Sequence, residues 1–461
     1  MKNFDHPIST LYEDLLLEKR LTENIEEFIG DNEALQSDLL DTQIINLSNE
    51  ILIQAIEKKA SAIHIEPLED SLRIRFRIDD VLHQPFECFP KKISSPIIAR
   101  FKIMADLFLE QQPFPQLGSI RRIYQGRKVD FLVDTIPNRY GEKIVLQTRD
   151  VIPVDLDLEQ LIIERQTLQL IREMIHRPFG LVLVTCPAGY GRTTTLYSLL
   201  AELNKPDINI CATADKFFEY SLPGITQVKD NREKGLNVAQ IIQGFMRQDP
   251  DVILVDEIRD WKTAKTVIEA AEKCLVLAGL HTSEAPSAIA RLDEMGIEPF
   301  MVSHFLIGVI AQRLLRRVCS DCAIPYTPTT AELAQFRLSA PIHEITIYKA
   351  NTRKERLAKK ALGNLCPNCY GMGYKGLVGV YQVMPVTSRI KTLINKLVNT
   401  ERIYEVAEAE GMKSLFDYSL DLVRQKHTTL EEVNRLILND YYLAKKLIVS
   451  RGKCLIFKKV N

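Results

Sequence analysis

Long apolar runs are missing from this 461-residue chain, and no stretch approaches the roughly 18 residues that span a bilayer. A membrane-spanning protein is therefore not expected. The opening Met1-Lys-Asn-Phe-Asp-His-Pro7 lacks the basic start and apolar middle of a secretory signal. A charge excess is missing too: 59 Lys and Arg face 60 Asp and Glu, a formal net charge of −1. That removes a global electrostatic pull toward nucleic acid or an anionic membrane. Nine cysteines are an odd number, which excludes a fully paired disulfide framework. Four of them stand in two C-x-x-C pairs, which favours a reducing compartment and a metal site. No internal repeat and no low-complexity tract is found, so the chain is not a repeat array. What remains is globular: 46% apolar residues over a length that suits two to four domains.

The organising stretch is Val184-Thr-Cys-Pro-Ala-Gly-Tyr-Gly-Arg-Thr-Thr-Thr-Leu-Tyr197. The apolar run Gly180-Leu-Val-Leu-Val184 before it reads as a buried strand, and a helical segment follows through Leu203. Strand, glycine loop and helix together are the setting of a phosphate-binding loop, with backbone amides and a helix N-terminus facing the anion. Gly189, Gly191 and Thr193 fit G-x-x-x-x-G-K-[ST], with Thr194 next to them. Cys186 replaces the first glycine and Arg192 the lysine. A second element lies about sixty residues downstream, the apolar strand Val252-Ile-Leu-Val255 running into Asp256 and Glu257. Asp256 is expected to serve Mg2+ through water, and Glu257 to orient or deprotonate an attacking water.

In chain order, residues 1–38 are polar and acidic and read as a short arm. Apolar residues from Thr42 to Ala60 recur at helical spacing. In Ser71–Ile78, Leu72, Ile74, Phe76 and Ile78 alternate with Arg73, Arg75 and Arg77, the pattern of a half-buried antiparallel strand. The arginine row is either a solvated sheet face or a functional one. A helix is expected near Ile97–Leu109, and Gln125-Gly126 marks a hairpin leading into Val129–Val133. These elements form a small α+β domain over 39–150, followed by a linker at 151–160. From 161 to 318 strands and helices alternate as a parallel α/β core requires. Residues 319–381 hold the cysteine pairs, and 382–461 read as a helical C-terminal part in which Thr428 or Thr429 caps the last helix, with Glu431 or Glu432 completing a capping box. Cys319, Cys322, Cys366 and Cys369 suit a closed tetrahedral Zn2+ site. Four merely buried cysteines, or a nucleic-acid zinc ribbon, are the alternatives.

Arg247-Gln-Asp-Pro-Asp-Val-Ile-Leu-Val-Asp-Glu-Ile-Arg-Asp260 closely resembles the Walker B region of the secretion ATPases of type II secretion and type IV pilus assembly. Ala60-Ser-Ala-Ile-His-Ile-Glu-Pro67, Gly141-Glu-Lys-Ile-Val145, Leu280-His-Thr282, Ala311-Gln-Arg-Leu314 and Gly371-Met-Gly-Tyr-Lys-Gly376 resemble further family stretches in the same order. The resemblance implies a PAS-like second N-terminal domain, a RecA-like P-loop core, a zinc subdomain and a helical C-terminal part. It also implies ATP, Mg2+ and Zn2+ as cofactors, a homo-hexamer, and work on inner-membrane secretion or pilus platform proteins from the cytoplasmic face. No nucleic-acid partner is expected. By the same resemblance Glu257, Glu219 and His281 are the catalytic candidates.

Several positions depart from the family pattern. Arg192 keeps the charge of the loop lysine in a larger planar fork. Cys186 is expected to strain the backbone, and Tyr190 to stack on the base of a neighbour or lie in solvent. In the acidic box Asp215-Lys-Phe-Phe-Glu219, Glu219 survives and Lys216 reverses a charge. In the histidine box His281 remains, and Lys273-Cys274 stand where the family has Gly-His before the strand, with one residue lost. In the small domain, family arginines give way to Pro113, Ser119, Leu132 and Gln147, with Arg121, Arg122 and Arg139 as conceivable substitutes. Arginine fingers contribute roughly 10³–10⁵ in rate. The expectation is thus an ATP-binding motor-type subunit with weak hydrolysis. The alternative is a catalytically inactive scaffold or regulator of the same platform. A DNA-linked ATPase is a third reading, without a clustered basic motif to support it. The short arm is expected to weaken the family's usual membrane docking.

Overall fold

The computed structural model describes residues 33–79, 81–110, 114–150, 157–214, 222–231, 235–336, 338, 346–351, 366–369 and 371–438. The chain divides into two compact units, Met1–Ile152 and Pro153–Asn461. No helix among the described residues is long and apolar enough to cross a membrane.

The first unit opens with helix α1, Glu33–Glu57. It starts ahead of the apolar repeat that begins at Thr42, because Glu33-Ala-Leu-Gln36 consists of good helix formers. Strands β1 (Ala62–Pro67), β2 (Ser71–Ile78), β3 (Val81–His83) and β4 (Phe89–Pro90) follow, then helix α2 (Ser94–Met104). Strands β5 (Gln116–Tyr124), β6 (Arg127–Asn138) and β7 (Gly141–Asp150) complete an antiparallel sheet in the order β3-β2-β1-β7-β6-β5, with β4 on β2. Leu72, Ile74, Phe76 and Ile78 of β2 are buried, and they share one core with Leu47 and Ile51 of α1 and Ile97 and Phe101 of α2. Gln125 (φ 49°) and Gly126 (φ 79°) form the expected two-residue turn between β5 and β6.

Helix α2 stops five residues short of the expected Leu109. Asp106 adopts a left-handed conformation (φ 56°), and the Leu107 amide closes back on the Lys102 carbonyl, a Schellman ending. The fully buried Lys102 ammonium then gives its three hydrogens to the carbonyls of Leu109 and Glu110 and to Glu142 Oε2 at 2.7 Å. On the opposite sheet face two arginines of the row meet one carboxylate. Glu66 takes Arg73 at 3.0 Å, Arg75 at 2.8 Å and Lys143 at 2.9 Å. Burial alone would push the Glu66 carboxyl up, but hydrogen bonds from Arg75 and Lys143 hold it at about 2.

In the second unit a one-turn helix, Leu158–Leu161, is capped by Asp157, and α3 (Arg165–Ile175) follows. The alternation is then β8 (Gly180–Thr185), α4 (Arg192–Leu203), β9 (Ile210–Ala214), β10 (Ile225–Lys229), α5 (Val238–Phe245), β11 (Val252–Val255), α6 (Trp261–Ala271), β12 (Leu275–Leu280), α7 (Ser287–Glu294), α8 (Pro299–Phe305) and β13 (Leu306–Val318). The sheet order is β10-β9-β11-β12-β8-β13-β16, parallel apart from the antiparallel edge strand β16 (Tyr374–Pro385). Strands β8, β11 and β12 are buried at every position because helices cover both faces. Leu181, Leu183, Ile253, Val255 and Val276 point into one core, while Val182, Val184, Leu254 and Leu277 point into the other.

Between β13 and β16 the chain leaves the sheet, carrying the two-stranded ribbon β14 (Ile324–Tyr326) and β15 (Ile347–Lys349) and the cysteine pairs. Four α-helices, α9 (Ser388–Asn395), α10 (Thr400–Ala409), α11 (Leu415–Arg424) and α12 (Leu430–Val433), and a π-helical turn, Asn434–Leu438, end the described chain. Ile390, Ile394 and Ile403 join one sheet core and Phe416, Leu420 and Leu430 the other, so these helices complete the layers over the sheet. Thr429 caps α12 through the Glu432 amide, but the box does not close. The Glu432 carboxylate is fully buried and held by Arg316 and Arg435 instead.

Candidate functional site

The carboxyl ends of β8, β11 and β12 lie side by side, where open parallel sheets collect their ligands. The loop leaving β8 turns through Gly189 (φ 85°) and Gly191 (φ 77°), both in the region that favours glycine. Gly191 begins α4, and no side chain caps that start. Cys186 lies outside the left-handed region, so the expected strain is not found. Its side chain is 1% exposed and burial pushes the thiol up, which makes it a small neutral core group. Tyr190 is half-buried rather than lying out in solvent. Its carbonyl accepts from Gln312 Nε2 at 2.7 Å, and its ring lies 5.7 Å from the Arg313 guanidinium.

Arg192 is turned onto the Walker B strand. Its Nη2 meets Glu257 Oε2 at 3.0 Å and its Nη1 meets His281 Nε2 at 3.0 Å, while Nε is buried without a partner. Gly279 of β12 makes the room. A Cβ there would stand 2.7 Å from Arg192 Nε and 2.1 Å from the Asp256 carbonyl. Glu257 also takes Arg259 Nη2 at 2.8 Å and His281 Nε2 at 3.1 Å on its other oxygen. Burial favours the protonated carboxyl, but the Arg259 hydrogen bond and the Arg192 charge overcome it and hold Glu257 below the usual carboxylate range. His281 Nδ1 lies 3.1 Å from the Cys186 carbonyl, which calls for hydrogen on Nδ1, and its Nε2 stands between Arg192 Nη1 and Glu257 Oε1.

Thr193 Oγ1 lies 3.4 Å from Asp256 Oδ1, and the Asp256 amide is held by Thr213 Oγ1 at 3.2 Å. A hydroxyl and a carboxylate facing each other are the hard oxygen donors that Mg2+ prefers. The Thr194 carbonyl accepts from Ser198 Oγ at 2.9 Å, inside α4. The structure thus gathers Gly189, Gly191, Arg192, Thr193, Thr194, Asp256, Glu257 and His281 at one end of the sheet. Glu219 lies outside the described residues, as does all of 215–221. Arg121 is committed to Asp130 at 2.7 Å, Arg122 to the Arg121 carbonyl and Arg139 to the Tyr140 ring, all within the first unit.

Sequence reasoning assigned no role to Gln312, Arg313, Arg259 or Gly279. Arg313 is 4% exposed and donates to the Gln312 and Ser283 carbonyls. The signal for Gly279 was present, a glycine inside an otherwise apolar strand, which marks close approach of another group.

The four cysteine sulfurs lie within 4.8 Å of one another, with Cys319–Cys366 at 3.8 Å and Cys322–Cys369 at 3.4 Å. Zinc–sulfur bonds of about 2.3 Å in a tetrahedron need sulfurs about 3.8 Å apart, so this donor set fits Zn2+. The Gly373 amide donates to Cys369 Sγ at 3.2 Å, the kind of outer hydrogen bond that orients a thiolate ligand.

A family described as "Type II/IV secretion system protein" matches residues 38–435. The type IV pilus assembly ATPase PilB of Myxococcus xanthus is 40% identical over 423 residues, covering 91% of this chain and 71% of that protein. The type II secretion system ATPase E of Vibrio cholerae is 37% identical over 414 residues, covering 90% of this chain and 79% of its own length. Among solved structures, the Legionella pneumophila ATPase DotB aligns with a TM-score of 0.59 at 15% identity, covering 85% of this chain and 95% of that one. That likeness bears out the mixed α/β fold with a RecA-like core. With the family match, two relatives of such identity and the ordered motifs agreeing, the chain belongs to the type II/IV secretion system protein family.

Proposed function

We propose that the chain is an ATP-binding, motor-type subunit of type IV pilus assembly or type II protein secretion, with weak hydrolysis. The substrate class is supported by the cradle from Gly189 to Thr194 and by two relatives named as ATPases of those systems. Mg2+, held by Thr193 and through water by Asp256, would neutralise phosphate charge. Zn2+ on the four cysteines would staple the excursion between β13 and β16. We further propose a homo-hexamer on inner-membrane platform proteins at the cytoplasmic face.

The observation that carries weak hydrolysis is the Arg192–Glu257 ion pair. Glu257 must accept a proton from water to act as a base, yet two guanidinium groups and an imidazole surround it and lower its proton affinity. Arg192 must leave Glu257 to meet a phosphate, so binding works against an existing pair. Arg259 and Arg313 bring guanidinium groups to the site, but they are engaged with Glu257 and with two carbonyls. The inactive scaffold is the second reading, favoured by the same ion pair together with Leu132 and Gln147 where the family has arginines.

Turnover of pure full-length protein with Mg-ATP tests this reading. We expect well under the typical enzyme rate of about 10 s⁻¹, abolished by Glu257→Gln and raised less than about tenfold by Arg192→Lys. Wild-type turnover near or above that rate overturns weak hydrolysis. No turnover at all, with nucleotide bound, selects the scaffold.

A further inference from the structure

Strand β13 runs beside β8 with Ala311 opposite Thr185, which puts the next residue, Gln312, against the phosphate loop. Gln312 is 1% exposed and both ends of its amide are used. Oε1 accepts from Thr195 Oγ1 at 2.5 Å, and Nε2 donates to the Tyr190 carbonyl at 2.7 Å. One side chain from a neighbouring strand therefore ties the loop to the first turn of α4. Gly191 packs tightly against it, since a Cβ there would stand 3.0 Å from Nε2.

The peptide between Tyr190 and Gly191 is trans, so its C=O and N–H point in opposite directions. With the carbonyl drawn to Gln312, the Gly191 N–H is turned away from β13. If this peptide flipped, it would turn a carbonyl, a partial negative charge, toward an incoming anion and remove a donor. We propose that Gln312 is a positioning residue for the nucleotide phosphates: it pins the Tyr190 carbonyl and thereby keeps the Gly191 N–H available to the anion. The inference rests on the nucleotide-binding reading above and adds to it the residue that sets the loop's polarity.

Calorimetric binding of Mg-ADP and of a non-hydrolysable Mg-ATP analogue to the full chain tests it, with thermal midpoints measured alongside. Gln312→Glu keeps the acceptor for Thr195 but loses the donor to Tyr190, and Thr195→Val removes the other end of the brace together with the hydrogen bond between the Thr195 and Tyr381 hydroxyls, leaving the Tyr190 contact in place. Gln312→Glu is expected to weaken binding roughly 10- to 100-fold, the effect of one misplaced buried hydrogen bond, and Thr195→Val clearly less. The gap between wild type and Gln312→Glu should narrow from pH 8 to pH 6, because a protonated Glu regains a donor. A merely structural role predicts equal losses in the two variants and no such narrowing, and that result overturns the proposal. So does Gln312→Glu binding within about threefold of wild type. If wild type binds no nucleotide, the functional reading fails first and this inference with it. Should the variants not fold, wild-type protein labelled with 15N-glycine decides. The Gly191 amide resonance must move on adding Mg-ADP, and an unmoved resonance with nucleotide bound overturns the proposal.

Discussion

Glu66 and Glu257 are two carboxylates gripped by cations, and the grip has different consequences at each. At Glu257 the proposed consequence is restrained chemistry; at Glu66 the grip stabilises a sheet. The folded Glu66 carboxyl sits at about 2, below its ordinary value of roughly 4.3. A depressed folded value contributes stability above the unfolded value and loses it as pH falls toward the folded one. Its partners are about a third exposed, which discounts the gain to about 1–2 kcal/mol. Glu66→Gln should cost that amount at pH 7 and leave a flatter decline between pH 4.3 and 2 than wild type, read from urea midpoints of the first unit. Residue identity was legible in the sequence where the chain departs from its family. Arg192 and Cys186 stood out at once, yet their outcomes did not. Cys186 settles into the core because its backbone stays in an ordinary region, and Arg192 turns to Glu257 because Gly279, far along the chain, leaves the space.

At the scale of elements, β13 is the connecting rod of the second unit. Gln312 lies on the phosphate loop, Arg316 on the buried Glu432, and Cys319 follows the strand's last residue. Tyr374, the first residue of β16, lies under Arg316 with the guanidinium 4.0 Å from its ring, and its hydroxyl meets Thr429. Cysteine pairs, edge ladder and last helices thus share one end of the sheet. Stripping zinc with a chelator, or substituting Cys366→Ser, should lower the thermal midpoint by several degrees and release one zinc per chain, followed by calorimetry and metal analysis. Unchanged stability would show that the thiols alone hold this end. Strands β8 and β11 were readable from short apolar runs bounded by turn residues. The long β13–β16 ladder was not, because an edge pair separated by some fifty-five residues leaves no local pattern. The capping box failed for a related reason, since Glu432 was claimed by an arginine more than a hundred residues away.

At the scale of the whole molecule, the division between Ile152 and Pro153 gives each unit its own core, so each should open on its own schedule. The buried ammonium beneath the first sheet offers a clock for one of them. All three hydrogens of Lys102 are taken and its side chain has no exposure, so an amine-acylating reagent cannot reach it in the closed state. Pulse labelling followed by peptide mass mapping should find Lys102 modified orders of magnitude more slowly than exposed Lys58 or Lys59. Its rate will follow denaturant as global opening of the first unit does, while nucleotide or chelator added to act on the second leaves it unchanged.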